Sequence, residues 1–262
     1  MTVWLNGRLT VNPAIDPSDR GFTLGDGLFE TIRAIGGRPL HLKRHWRRLR
    51  AGAAVLEIAM PFSNLALSAA VRQLLAEGPA EASVRLTLTR GPAARGLLPD
   101  PHGTPTVLIT KAPLSEPLPP AALRVATVTR RNEYSPLARI KTLSYLDALL
   151  ARQEAGRLGA DDAVLLNSQG RVAEASASNL FFLLGDEIVT PPMSEGALPG
   201  IRRGLALERL EVTERPLMVE EAMAADDILL TNSLTLRAAA SLDGRPLPRQ
   251  GALLERFVQA AL

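Results

Sequence analysis

The stretch that most restricts how this chain can fold is KAPLSEPLPPAA, residues 111–122, which holds four prolines. Each proline fixes φ and lacks a backbone N–H, so such a stretch cannot run through a helix or the middle of a sheet. It reads as a linker of limited flexibility and marks the best boundary between two domains. The expected division is a first domain over 1–112, a linker over 113–122 and a second domain over 123–262. A chain of 262 residues is long enough for two domains of ordinary size. Aromatics are only 4% of it, so the cores should be built from Ala, Leu and Val.

Both halves mix strands and helices, which predicts an α+β fold. In the first half, residues 2–11 read as a hairpin. Val3 and Leu5 alternate with polar neighbours, Asn6-Gly7 is a two-residue turn signal, and Leu9 and Val11 resume the strand. PAIDPSDR reads as a polar loop. Gly25-Asp26-Gly27 breaks the chain, Leu28–Ile35 reads as a strand and Gly36-Gly37 as the next turn. From His41 to about Ile58 the period is helical, with Leu42, Trp46, Leu49 and Ala53 on one face. A second helix is expected over Asn64–Glu77, then strands over Ser83–Thr89 and Thr106–Thr110. In the second half, strands are expected over Leu123–Thr129, AVLLN, RVAEAS, NLFFLL, Val212–Met218 and Ile228–Thr231. Helices are expected after Lys141 and over Leu198–Leu210, Val219–Ala225 and Leu253–Ala261.

Several functions are excluded or disfavoured by composition. There is no cysteine, so disulfides, thiol catalysis and cysteine metal sites are ruled out, and no metal site is expected. The net charge of +3 is small. The basic run HLKRHWRRLR reads as an exposed helix face rather than a nucleic-acid tail. MTVWLNGRLT lacks a secretory pattern and no apolar run reaches membrane-spanning length, so a cytoplasmic enzyme is expected, without nucleic-acid or membrane partners.

The residues that could carry chemistry lie at places where they are costly without a purpose. Lys141 is one of only three lysines, with Lys43 and Lys111, against 27 arginines. An arginine cannot lose its proton near neutral pH, whereas a lysine can become a nucleophile. Leu143, Leu146, Leu149 and Leu150 fall at spacings of three and four after it. They predict an apolar helix face that packs and fixes the root of Lys141. Arg90 and Arg95 lie in one loop, RGPAARG, and suit a carboxylate-bearing substrate. Pro199-Gly200-Ile201-Arg202 opens a helix, and helix N-termini bind phosphate through backbone N–H groups. Thr231-Asn232-Ser233 ends a strand that reads as buried, a usual place for ligands. Glu174 sits mid-strand, where a buried carboxylate needs a partner. A lysine, a strand carboxylate and a phosphate site together form the kit for pyridoxal phosphate.

The motifs DRGFTLGDGLFETIR, HLKRHWRRLR, IKTLSYLDALLARQEA, GRVAEASASNLF, LPGIRRG and LLTNSL stand in one order along nearly the whole chain. In that order the sequence resembles the class IV aminotransferase family, the fold-type IV pyridoxal-phosphate enzymes. The resemblance implies a two-domain α+β fold, with a smaller N-terminal domain and a larger C-terminal one that has a β-barrel-like core and carries the cofactor lysine. It implies that Lys141 bonds the cofactor's aldehyde and acts as acid–base catalyst, while Glu174 pairs with the pyridine nitrogen. Arg48, the backbone of Ile201 and Arg202, and Asn232 and Ser233 would serve the phosphate. Many members have Thr where Arg202 stands, so a hydroxyl contact is lost here. Tyr145 would correspond to a tyrosine that reaches the cofactor's phenolic oxygen, one residue out of register. Phe29, Glu30, Arg90 and Arg95 would line the substrate side, and the resemblance also implies a homodimer.

Within the family, RGPAARGLLP resembles the RGxxxRG pattern of the lyases, and TNSL their corresponding segment. D-amino acid transaminases carry a histidine two residues after the position of Arg95, where this chain has Leu97. The first expectation is therefore a 4-amino-4-deoxychorismate lyase, which forms 4-aminobenzoate and pyruvate in folate biosynthesis. The alternative is a transaminase for D-amino acids, branched-chain amino acids or (R)-amines, using a 2-oxo acid acceptor.

Overall fold

A computed structural model describes residues 2–76 and 78–262, which divide into two compact units. The first runs to Ser115 and also takes in Ile140–Ser144, and the second comprises Glu116–Arg139 and Tyr145–Leu262.

The first unit contains β1 (Val3–Leu5), β2 (Arg8–Thr10), α1 (Arg20–Leu24), β3 (Gly27–Ile35) and β4 (Arg38–Pro39). They are followed by α2 (Leu42–Val55), α3 (Asn64–Leu75), β5 (Ala82–Thr89) and β6 (Thr106–Pro113). Its antiparallel sheet has the order β2-β1-β6-β5-β3-β4. Side chains alternate across a strand, so one face gathers Leu28, Ile32 and Ala34 with Val84, Leu86, Leu88, Val107 and Ile109, all buried. Trp46, Leu49 and Ala53 of α2 and Leu67, Val71 and Leu74 of α3 join that face in one core. The opposite face carries Phe29 and Thr31, set beside Thr87 and Arg85 by the register of β3 and β5.

The turn at Asn6-Gly7 and the strand after Gly25-Asp26-Gly27 form as expected. Helix α1, in contrast, begins inside the stretch read as a loop. Buried Asp19 nucleates it by accepting from Gly21 N–H at 2.8 Å. The Asp19 carboxylate also takes the hydroxyls of Thr89 (2.9 Å) and Thr106 (2.8 Å), which lie 70 and 87 residues away. A cap held by such distant partners leaves no local pattern.

The second unit contains β7 (Ala121–Val125), a 3-10 turn (Pro136–Arg139), α4 (Leu146–Arg157), β8 (Asp162–Leu166), β9 (Val172–Ala175) and β10 (Asn179–Leu184). Next come β11 (Glu187–Thr190), a 3-10 turn (Met193–Glu195), α5 (Ile201–Arg209), β12 (Val212–Glu214) and α6 (Val219–Met223). The unit ends with β13 (Asp227–Thr231), β14 (Leu236–Leu242), β15 (Arg245–Pro246) and α7 (Ala252–Gln259). Its mixed, curled sheet runs β12-β11-β10-β13-β14-β7-β8-β9, with β15 on β14, and this is the barrel-like core expected. Strands β8 and β13 are buried throughout, which explains their unbroken apolar runs. The strand expected over Val212–Met218 stops at Glu214, because Pro216 has no N–H to donate.

Two expectations are corrected. Strand pairing joins Lys141 to the first unit rather than the second: Phe29 N–H donates to Lys141 O (2.9 Å) and Leu143 N–H to Gly27 O (3.0 Å). The leucine stripe of α4 does not pack. Leu146, Leu149 and Leu150 are exposed at 73%, 53% and 45%, while Ala151 and Ala155 meet Ala163 and Leu165 in the core.

Candidate active site

The first unit supplies the lysine. Residues 140–142 lie against the start of β3, with a bridge between Leu28 and Thr142. Ile140 sinks into the core, where Gly52 leaves it room: a Cβ on Gly52 would lie 3.5 Å from Ile140 and 3.0 Å from Leu28. Alternation then turns Lys141 the other way, and its Nζ stands 4.3 Å from the centroid of the Phe29 ring. The Arg85 guanidinium lies against the same ring, at 3.7 Å. The root of Lys141 is therefore held by backbone pairing to β3, not by the helix that follows. Gly25 and Gly27 are needed for this approach. A Cβ on Gly25 would come within 2.9 Å of Ser144 Oγ, and one on Gly27 within 2.5 Å of Leu88 O.

Glu30 points to the opposite face from Phe29. It is fully buried; its Oε1 accepts from Arg48 Nε (2.8 Å) and its Oε2 from Arg48 Nη2 (2.6 Å), and His45 Nδ1 lies 2.6 Å from the same Oε2. Burial opposes ionisation of Glu30, but the charge and hydrogen bonds of Arg48, with those of His45, outweigh it and lower its pKa. Glu30 thus anchors Arg48 and does not line a substrate surface, which corrects the expectation for Glu30. The basic run is not a uniformly exposed face either, since the Arg48 side chain is only 9% exposed.

Arg90 is also turned inward. It donates to Asp26 through Nε (2.7 Å) and Nη2 (3.2 Å), and to the carbonyls of Leu56 (2.6 Å) and Glu57 (3.1 Å) after α2. Asp26 also receives Arg20 Nε at 2.8 Å. Burial works against the Asp26 charge, but Arg90 and Arg20 hold its pKa down. Arg20 in turn donates to Gly96 O and Leu97 O, fixing the loop. Arg95 alone of the expected arginine pair reaches open space, lining a cleft of about 570 Å³ with Ser18, Thr23 and Leu24.

The second unit supplies a carboxylate and an uncapped helix. Glu174 is 9% exposed on β9. Its Oε2 accepts from Leu198 N–H at 2.9 Å, and Arg131 Nη2 lies 3.1 Å from its Oε1. Leu198 leads through Pro199-Gly200 into α5, whose first turn has no side-chain cap. Gly200 is pressed against Asn179, where a Cβ would stand 2.0 Å from Oδ1, and Asn179 Nδ2 donates to Leu198 O at 2.8 Å. Ile201 is buried at the start of the helix. At the end of β13, the buried hydroxyl of Thr231 has no hydrogen-bond partner among the described residues. Ser233 follows it, half-buried. Asn232 instead organises its own turn. Its Oδ1 accepts from the N–H of Leu234 (2.9 Å) and Thr235 (3.0 Å), and its Nδ2 donates to Ser178 Oγ (3.1 Å). That turn role replaces the ligand role expected for Asn232. Tyr145 stands just ahead of α4.

A helix opening on a glycine that admits no Cβ, a buried hydroxyl without a partner and a buried carboxylate fit a group with a phosphate at one end and a basic ring nitrogen at the other. Pyridoxal phosphate has both.

Two residues were not found from sequence. Arg131 bears on Glu174, but 43 residues separate them. Arg85 was legible: in SVRLTLT the odd positions 83, 85 and 87 lie opposite the apolar ones, on the face of Phe29.

The sequence pattern of Amino-transferase class IV matches residues 27–241. The chain belongs to the class IV aminotransferase family, and its cofactor is pyridoxal phosphate. It is similar, at 32% identity over 94% of this chain and 89% of the other, to a Methanocaldococcus jannaschii protein provisionally assigned as a branched-chain-amino-acid aminotransferase. It is 30% identical to the aminodeoxychorismate lyase of Bacillus subtilis, over 88% of this chain and 83% of the other. Among solved structures, one from Legionella pneumophila, provisionally assigned as a 4-amino-4-deoxychorismate lyase, superposes with a TM-score of 0.89. Its identity is 29%, and 96% of each chain is covered.

Proposed function

We propose that this enzyme is a 4-amino-4-deoxychorismate lyase that releases pyruvate and leaves 4-aminobenzoate, and that it works in folate biosynthesis in the cytoplasm. The observation that carries the reading is the Phe29 ring, against which both the Lys141 amine and the Arg85 guanidinium lie. A guanidinium set apart from the reactive amine by an aromatic ring suits a substrate whose carboxylates stand away from the reacting carbon, and a guanidinium grips a carboxylate through paired hydrogen bonds. Phe29 gives the substrate ring an apolar surface. Arg95, on the open loop, would serve a carboxylate at the outer edge.

In this reading Lys141 is the catalytic residue. Its amine takes the proton from the carbon that bears the substrate nitrogen. The C–O bond to the enolpyruvyl group breaks, the ring becomes aromatic, and the departing enol gains a proton to become pyruvate. When bound, pyridoxal phosphate supplies the electron sink for that proton transfer. Glu174 would hold the ring nitrogen. Arg48, the first turn of α5 at Ile201 and Arg202, and Ser233 would hold the phosphate, with Tyr145 toward the phenolic oxygen.

The second reading is a transaminase for D-amino acids, branched-chain amino acids or (R)-amines, and the 32% identity to the Methanocaldococcus protein favours it. The two reactions differ in where Lys141 returns the proton. Supplying purified enzyme with aminodeoxychorismate, and separately with D-alanine, leucine or an (R)-amine plus 2-oxoglutarate, separates them. Release of 4-aminobenzoate is expected; fast amino transfer without it overturns the lyase reading. We also propose a homodimer, supported by the exposed leucine stripe of α4.

A further inference from the structure

We infer that Arg131 is a positioning residue that keeps the proton on the cofactor's ring nitrogen by holding Glu174 as a carboxylate. The inference rests on the reading of Glu174 given above and goes beyond it in naming the group that controls it. The Arg131 backbone is fixed first: its N–H donates to Leu166 O at 2.8 Å, beside a bridge to Asn167. Its side chain then spans three segments of the second unit. Nη2 lies 3.1 Å from Glu174 Oε1, Nε and Nη2 donate to Gly196 O at 3.2 and 3.1 Å, and Nη2 donates to Ala138 O at 3.0 Å. Gly196 makes room for this. It has φ of +95°, and a Cβ there would lie 3.3 Å from Arg131 Cβ.

Glu174 is therefore gripped on both oxygens, by Arg131 on Oε1 and by Leu198 N–H on Oε2. Both contacts favour the ionised carboxylate over the acid. A carboxylate so held is a weak base. When a basic ring nitrogen meets it, the proton resides on the nitrogen and the pair is ionic. Removing the guanidinium makes Glu174 a better proton acceptor, and the proton shifts toward the carboxylate. A lysine keeps the charge but not the planar fork that reaches Glu174, Gly196 and Ala138 together.

The test uses the full-length protein loaded with pyridoxal phosphate, in the wild type, Arg131→Gln, Arg131→Lys, Glu174→Gln and Arg131→Gln/Glu174→Gln forms. The readouts are the ¹⁵N chemical shift of ring-labelled cofactor against pH, and the cofactor Kd. Wild type is expected to show a protonated ring nitrogen across the stable pH range. Arg131→Gln should show a partly deprotonated nitrogen and about tenfold weaker cofactor binding, the usual scale for one hydrogen bond to a charged group. Arg131→Lys should fall between them, and it carries the test if Arg131→Gln does not fold. In the Glu174→Gln background, Arg131→Gln should change the nitrogen shift no further. A wild-type ¹⁵N shift retained in Arg131→Gln or Arg131→Lys overturns the inference while leaving the cofactor reading intact. Wild-type protein that binds no pyridoxal phosphate overturns both.

Discussion

Replacing Glu30 by Ala tests whether the first unit depends on a buried ion pair behind its functional face. Glu30 is fully buried, and the Arg48 side chain that it holds is 9% exposed. Deleting the carboxylate removes the acceptor of two Arg48 hydrogen bonds, of 2.6 and 2.8 Å, and of the His45 contact. Removing one member of a buried pair costs about 3–5 kcal/mol, because the remaining buried charge loses its counter-ion. In a protein of this size about 1 kcal/mol shifts Tm by roughly 2–4 °C, so Glu30→Ala should melt roughly 6–20 °C lower. Glu30→Gln keeps one acceptor and should lose less. The sign with pH follows from a lowered pKa. The stabilisation is complete above the ordinary value of 4.5 and is lost as pH falls through the depressed folded value. Urea unfolding followed by fluorescence of Trp4 and Trp46, both in that core, reads the unit directly. The gap between wild type and Glu30→Ala should be full at pH 7 and should shrink below about pH 4.5. A gap under about 1 kcal/mol at pH 7 would refute the reasoning, since that is the scale of a solvent-exposed pair.

Other outcomes follow from the same geometry. Lys141→Ala should lack the near-visible cofactor absorbance of the wild type and resist borohydride, while its thermal unfolding stays close to wild type; an unchanged absorbance band rejects Lys141 as the anchor. Gly200→Ala puts a Cβ 2.0 Å from Asn179 Oδ1, so overpacking should cost about 1–3 kcal/mol and cofactor Kd, measured by equilibrium dialysis, should rise. Leu149→Glu, at a position exposed in the single chain, should shift sedimentation from dimer to monomer while the far-UV circular dichroism stays that of the wild type; a retained dimer rejects the stripe as the interface. Burial opposes ionisation of Glu133, yet the Ser168 hydroxyl and N–H and the Gln169 amide hold its pKa down at about 2. Its stabilisation is present above 4.5 and lost as pH falls from there toward 2, so acid titration of Glu133→Gln should converge on wild type over that window.

The parts legible in the sequence are those fixed by local pattern. Strand parity in GLFETIRAI places Leu28, Ile32 and Ala34 on the core side, and the same parity places Glu30 there too, away from substrate. Alternation alone therefore sets Glu30 against the core, contrary to the substrate role that the resemblance implies. Arg90 is a different case. RGPAARG offers two arginines with equal claim to a carboxylate, and only Asp26 and the carbonyls of Leu56 and Glu57, 33 to 64 residues away, decide that Arg90 turns inward. No spacing rule carries that information, because the deciding partners are brought up by the fold. The α4 leucines show the third limit. Their spacing predicted a helix with an apolar face, and the helix exists, but its alanines do the packing while Leu146, Leu149 and Leu150 face outward. An amphipathic pattern states that a face is apolar; it does not state what covers it. Leaving three leucines on one helix face in water would forgo about 1.5–3 kcal/mol for each side chain that could be buried. That loss is the physical reason to look for the covering surface on a second copy of the chain.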